Sequence, residues 1–285
     1  RQRQMCIRDR TGIMMRALYT AATGMIAQQS NVDNISNNLS NVNTVGYKQE
    51  KMEFKSLLYQ TIQTRTTSAN GEEKPISAQV GLGTRVASNT SIYTQGSLMA
   101  SENATDFAIS GDGFFAVRGA DGKTYYTRAG DFVWSVNAGG TLTLCTNEGY
   151  PVLDSNNQPI NLPAGISAEK VIVSENGKMG YTNAAGTYVD MNQTLGLFQF
   201  NNPGGLEKTG TNLLAVTPAS GNAMNESTTA NLTKSKVLQK YLEGSNVQVA
   251  DEMVNLIIAQ RAYQLNSKAI TTSDEMLEQA NNLKR

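Results

Sequence analysis

No histidine occurs anywhere in the 285 residues, which removes imidazole acid–base catalysis, Ser-His-Asp hydrolysis and His-ligated zinc. Cysteine is nearly absent too. Cys6 and Cys145 are too few for a framework of several disulfides, and with no imidazole to activate it Cys145 is expected as a small apolar strand residue. Charge is sparse: 24 Lys and Arg against 24 Asp and Glu give no net charge, and charged residues make up 17% of the chain, against about 25% in an ordinary domain. A neutral surface offers neither nucleic acid nor an anionic membrane a reason to bind. No apolar run is long enough to cross a bilayer as a helix, and the N-terminus lacks the order of a cleavable secretory signal. Surfaces this poor in charge suit contact with other protein.

What the chain does have is periodicity at both ends. From Leu18, apolar residues recur every seven positions at Leu18, Met25, Val32 and Leu39, with Ala21, Gln28, Ile35 and Val42 three residues later, an a/d seam of four repeats. Gln, Asn, Ser and Thr lie between, so the stripe is poorly suited to stand alone in water. Gly24 costs about 1 kcal/mol relative to Ala inside a helix, which implies another backbone passing close by. The helix is expected to stop near 43–46, with Gly46 as its left-handed closing residue. A second ladder, Val249, Leu256, Tyr263, Ile270 and Leu277, broadened by Met253, Ile257, Ala259 and Ala280, occupies the other terminus; Ser245 or Asn246 is placed to cap it. Residues 1–13 are basic and aperiodic and are read as an extraneous leader outside the fold.

Between the helices the pattern shortens. Phe54, Leu57, Leu58 and Ile62 form a small amphipathic patch before a Thr/Ser/Asn/Gly-rich run over 64–70, expected as an extended arm. From about Phe107 the period becomes two, punctuated by Asp112-Gly113, Asp121-Gly122, Gly139-Gly140 and Asn176-Gly177, dipeptides that favour tight hairpin turns. The expected class is α+β: long terminal helices pairing as a coiled-coil-like domain (14–45 and 243–285), an arm and linker region (46–95 and 225–242), and an inserted all-β domain of short antiparallel strands (96–224). No catalytic constellation is found. Ser110-Gly111-Asp112-Gly113 lacks the GK[ST] ending of a phosphate loop, and Asp106, Asp112, Asp121 and Asp131 do not have calcium-loop spacing.

The run Ile35 to Lys48, containing Asn37, Asn38, Leu39, Asn41, Thr44, Gly46 and Tyr47, resembles the N-terminal signature of bacterial flagellar rod and hook proteins. The C-terminal run with Gln260, Arg261, Tyr263 and Asn266 is similar to that family's closing signature, and SGDGFFAV lies where the family's β domain begins. The resemblance spans Met14 to Arg285. In the arm, residues 54–62 and 80–84 resemble the distal-rod branch, proximal-rod members being the alternative.

The resemblance implies a structural subunit, not an enzyme, with no cofactor, no metal and no small-molecule substrate. It implies a helical homo-oligomer lying between proximal rod and hook proteins, surrounded by P-ring and L-ring proteins. Export would proceed through the flagellar type III apparatus without a cleavable signal, to a rod spanning the periplasm. Subunit interfaces are then expected at Leu18, Ala21, Met25, Val32, Ile35, Leu39, Val42, Val249, Met253, Leu256, Tyr263, Ile270 and Leu277. Two other classes make different demands. A carboxylate hydrolase needs an acidic cleft with a raised carboxyl pKa; a stalked binding module needs a discrete ligand in place of open-ended self-association.

Overall fold

The computed structural model describes residues 2–63, 78–137, 139–163, 165–183, 187–210, 212–229 and 232–282. The chain divides into two compact units, one built from residues 1–39, 50–90 and 249–285 and the other from 40–49 and 91–248. The class is α+β: a helix at each end and many short antiparallel strands between them.

The first unit contains most of helix α1 (Gln2–Ser40), a two-stranded ribbon, and helix α2 (Val249–Asn282). Helix α1 takes in residues 2–13 of the stretch read as a leader and ends a few residues before Gly46. Gly46 does adopt a left-handed conformation (φ 69°), but it closes the turn that follows the helix, where its N–H donates to the Glu243 carbonyl at 2.8 Å. Neither expected cap serves α2. Ser245 Oγ accepts from the Val247 N–H, and the Asn246 amide is engaged with Gln49, Ile92 and Thr94. Asp251 and Glu252 in the first turn of α2 instead complement the helix dipole.

The ribbon is made by β1 (Glu50–Ser56) pairing with β4 (Thr84–Ser91), and β2 (Tyr59–Gln63) pairing antiparallel with β3 (Ala78–Gly81). The hydrogen bonds Leu57 N–H to Gly83 O and Leu82 N–H to Leu58 O join the two halves. The polar run expected as an arm over 64–70 lies outside the described residues. One side of α1 accepts the ribbon. Asn38 pairs its amide with both backbone groups of Glu50 (Nδ2 to O 2.8 Å; Glu50 N–H to Oδ1 2.9 Å), and Asn34 donates to Asn89 Oδ1 at 2.9 Å. Further along, the Thr84 N–H reaches Thr23 Oγ1, and Gly83 (φ 112°) has no room for a Cβ beside Thr23.

The second unit is the β body. Its largest sheet has six strands. At the sheet's centre β7 (Phe114–Arg118) pairs with β8 (Thr124–Thr127) on one side and with Leu197–Gln199 on the other. Four consecutive residues of β7, Phe114 to Val117, are buried because the sheet is covered on both faces. Phe114 and Ala116 belong to one apolar cluster with Tyr126, Phe198 and Phe200; Phe115 and Val117 belong to the other with Phe107, Phe132 and Leu144.

Three of the four dipeptides close hairpins as expected; Asp112-Gly113 does not, because residues 107–110 pair with 236–239 and not with β7. Gly122, Gly140 and Gly177 all have positive φ. Residues 178–182 pair with 171–173 across Asn176-Gly177. Residues 225–242, expected as linker, carry two paired strands: Lys236–Gln239 lies on β6 (Phe107–Ser110) and Tyr241–Glu243 on β5 (Leu98–Ala100). The returning chain is thus woven into the body. Cys145 is buried in a strand, and burial pushes its thiol pKa up, the inert state expected of it.

Candidate assembly surface

Within the first unit α1 and α2 run antiparallel. Gly24 faces Asn266, and further along, Gln29 and Val32 of α1 share an open cavity of about 330 Å³ with Gln260, Tyr263 and Gln264 of α2. What comes close to Gly24 is the Asn266 side chain, whose Nδ2 would stand 2.7 Å from an added Cβ, and not a backbone as the sequence suggested.

The residues expected at subunit interfaces divide by burial. Ala21 and Ile35 are buried within the chain itself, and Leu18, Met25, Val32, Leu39, Val42, Leu256, Ile270 and Leu277 are half-buried. Val249, Met253 and Tyr263 are exposed. The inward side of α2 is closed by small and polar residues: Glu252 is 2% and Ala259 1% exposed, and Ser273 is buried too. Other large apolar side chains lie off this seam and in water. Val254, Ile258 (61% exposed), Leu265 (71%) and Met276 form a second ladder on its outer side, which heptad reading missed. At ~100° per residue these four fall within a narrow arc, about a third of a turn from the inward seam. Their spacing would have revealed them only to a search for two stripes on one helix.

Of the signature residues, Asn38, Gly46 and Tyr47 are buried, Asn37 and Arg261 are exposed, Gln260 and Tyr263 line the open cavity beside α1, and Asn266 lies against Gly24. Asn41 and Thr44 form the turn after α1 (Thr44 N–H to Asn41 O, 3.2 Å). Next to this turn, and inside the second unit, lies a buried ionic cluster that the sequence did not announce. Glu243 is 0% exposed; it accepts from Lys48 Nζ at 2.6 Å, from Arg128 Nε at 2.9 Å and from the Gly96 N–H at 3.0 Å. Arg128 also donates to the carbonyls of Gly111 and Gly113, and Lys48 to that of Thr94. Burial alone would raise the Glu243 pKa, but the charge and hydrogen bonds of Arg128, then of Lys48, outweigh it and hold the carboxyl below its ordinary range. Burial, then repulsion from Arg128, lowers the Lys48 pKa against the attraction of Glu243.

Two other carboxylates of the body, Glu226 and Asp131, are held by hydrogen bonds within the fold. Glu226 is buried and accepts from the Ser235 N–H, the Ser235 hydroxyl and Gln199 Nε2 at 2.7–2.8 Å. The Asp131 carboxyl is pushed up by burial and by Asp106, with its own backbone N–H and the Asn147 amide pulling the other way. Among the described residues no three His, Cys, Asp or Glu side chains are grouped to hold a metal ion, and no helix is long and apolar enough to cross a membrane.

A long helix at each end of the sequence, short antiparallel strands between them in chain order, and apolar side chains left exposed on the helices suit a structural subunit that associates with other protein. Residues 18–48 match the family described as flagella basal body rod protein, 108–181 the flagellar hook protein FlgE/F/G D1 domain, and 238–283 the flagellar basal body rod FlgEFG protein C-terminal. Flagellar basal-body rod protein FlgG of Borreliella burgdorferi is 42% identical over 95% of this chain and 100% of its own length. The protein of the same name from Agrobacterium fabrum is 43% identical over 92% and 97%, and that of Bacillus subtilis 38% over 95% and 100%. The chain belongs to the flagellar basal-body rod protein family and is a structural subunit of the rod.

Proposed function

We propose that the chain builds the distal part of the rod, stacking helically with its own copies into a tubular shaft that carries torque from the motor to the hook. The observation that carries this reading is the outward apolar ladder of α2. Leaving Val254, Ile258 and Leu265 in water forgoes about 1.5–3 kcal/mol per side chain relative to full burial, which neighbouring copies would recover. The distal position is supported by the resemblance of residues 54–62 and 80–84 to the distal-rod branch. That arm is a two-stranded ribbon held to α1 at Glu50, Gly83, Thr84 and Asn89, with Phe54, Leu58 and Tyr59 left exposed, apolar surface that neighbouring copies would cover.

In this reading the buried and half-buried seam residues (Leu18, Ala21, Met25, Val32, Ile35, Leu39, Val42, Leu256, Ile270 and Leu277) brace each subunit, and Val249, Met253 and Tyr263 are covered by adjacent copies. Proximal rod and hook proteins adjoin the ends, P-ring and L-ring proteins surround the shaft, and the type III apparatus delivers the subunits into the periplasm. Hydrogen exchange on dilute and polymerised protein tests it. Amides of 17–39 and 249–282 are expected to gain protection on polymerisation. Full protection already in the dilute monomer, or no polymer at any concentration, would overturn it.

A further inference from the structure

The helix pair has two different apolar sides. With α1 and α2 antiparallel, Gln29 of α1 and Gln260 and Gln264 of α2 lie to one side of the line joining the helix axes, where the cavity opens. By the same helical arithmetic, exposed Met15, Tyr19 and Ile26 of α1 lie on that cavity side. On the opposite side stand Val254, Ile258, Leu265 and Met276 of α2. The two ladders share a spacing: 15, 19 and 26 advance by four and then seven positions, as do 254, 258 and 265. Charge separates them as well. Between Arg16 and Lys48 the sole charge is Asp33, on the cavity side; between Glu252 and Asp274 the charges are Arg261 and Lys268, which flank the outer ladder.

We infer that the outer ladder of α2 in one copy docks on the cavity side of the α1–α2 pair in the next. In that contact Ile258 and Leu265 enter the space beside Val32 and Tyr263, and Lys268 and Arg261 approach Asp33. This rests on the reading of the chain as a self-stacking subunit, and it names the faces that meet. A contact between two different faces of the same molecule is heterologous, so each added copy presents a fresh ladder and a fresh cavity. Repetition gives an open helical polymer. A ladder meeting its own copy would instead close as a two-fold dimer and place Arg261 and Lys268 opposite one another.

The test uses full-length chains blocked on one face each: Ile258→Asp, which spoils the outer ladder, and Ile26→Asp, which spoils the cavity side. Both positions are exposed, so circular dichroism should match the parent chain. Each variant alone is expected to show at least a tenfold higher critical concentration in sedimentation, because a carboxylate would have to be buried at the contact. Mixed in equal amounts, they are expected to form heterodimers that grow no further, each using its one intact face. Asp33→Lys should weaken polymerisation, and Asp33→Lys combined with Lys268→Asp should recover it. Dimers of Ile26→Asp alone would overturn the inference in favour of ladder meeting ladder. Normal polymers from both single variants would overturn the face assignment while leaving the rod reading intact. Failure of the unsubstituted chain to self-associate at any concentration would instead remove the reading on which both depend.

Discussion

Glu243 shows how much of the body's integrity rests on one side chain. A buried carboxylate between two cations is retained because removing any member strands the others, a loss of about 3–5 kcal/mol. Glu243→Gln is expected to lower stability in urea by that order, read from the fluorescence of Trp134, the chain's single tryptophan, which lies in the same unit. The pH dependence follows from the direction of the shift. Because the folded carboxyl titrates below its ordinary value, its contribution is complete above the ordinary carboxylate range and fades as pH falls through the folded value. The lowered Lys48 pKa acts in the alkaline range, where stability rises with pH between its folded and unfolded values. The substituted protein should therefore lose part of the parent's acid sensitivity; an unchanged acid limb would show that other carboxyls dominate it. Asn38 is a second such residue. Asn38→Ala leaves the N–H and C=O of Glu50 without their side-chain partners, at a cost of about 1–3 kcal/mol, and should speed hydrogen exchange at the Glu50 amide.

Between elements, the spacing of α1 and α2 is set at Gly24. Adding a methyl there gains about 1 kcal/mol of helix propensity and meets the movable end of the Asn266 side chain. Gly24→Ala should therefore change stability by less than about 1 kcal/mol, whereas Gly24→Leu should force the helices apart and lower the midpoint of the 222 nm melt. The same element pair shows what the residues alone disclosed. Hairpins at Asp121-Gly122, Gly139-Gly140 and Asn176-Gly177 were legible because positive φ at glycine is a local demand. Seven-residue spacing is local too, but it picked out buried Ala21 and Ile35 together with exposed Val249 and Tyr263. The outer ladder was not legible: Val254, Ile258 and Leu265 look like any core residues until burial shows that Ala259 and Ser273 took the inward places. Nor could sequence reveal the ionic cluster, whose members Lys48, Arg128 and Glu243 come from three distant segments that only the tertiary fold assembles. Asn38 stood out through the family signature alone, and its pairing with Glu50 supplies the physical reason.

At the scale of the whole molecule, the two units differ in what completes them. The β body holds both large apolar clusters, with Phe107, Phe114, Phe115 and Phe132 almost wholly buried, so its stability is contained within one chain. The helical unit keeps apolar ladders in water and buries polar residues such as Asn34, Asn38 and Glu252, and in the proposed assembly each contact with a copy would add to its stability by mass action. One spectroscopic experiment separates them. Trp134 reports the body and ellipticity at 222 nm is dominated by the two long helices. Across a hundredfold range of protein concentration, the Trp134 melting midpoint should stay constant while the 222 nm midpoint climbs, because only the helical unit gains from association. Ile258→Asp should flatten the climb and leave the Trp134 midpoint unmoved. If both midpoints rise together in the parent chain, the body too is stabilised by assembly, and the division of labour between the units is wrong.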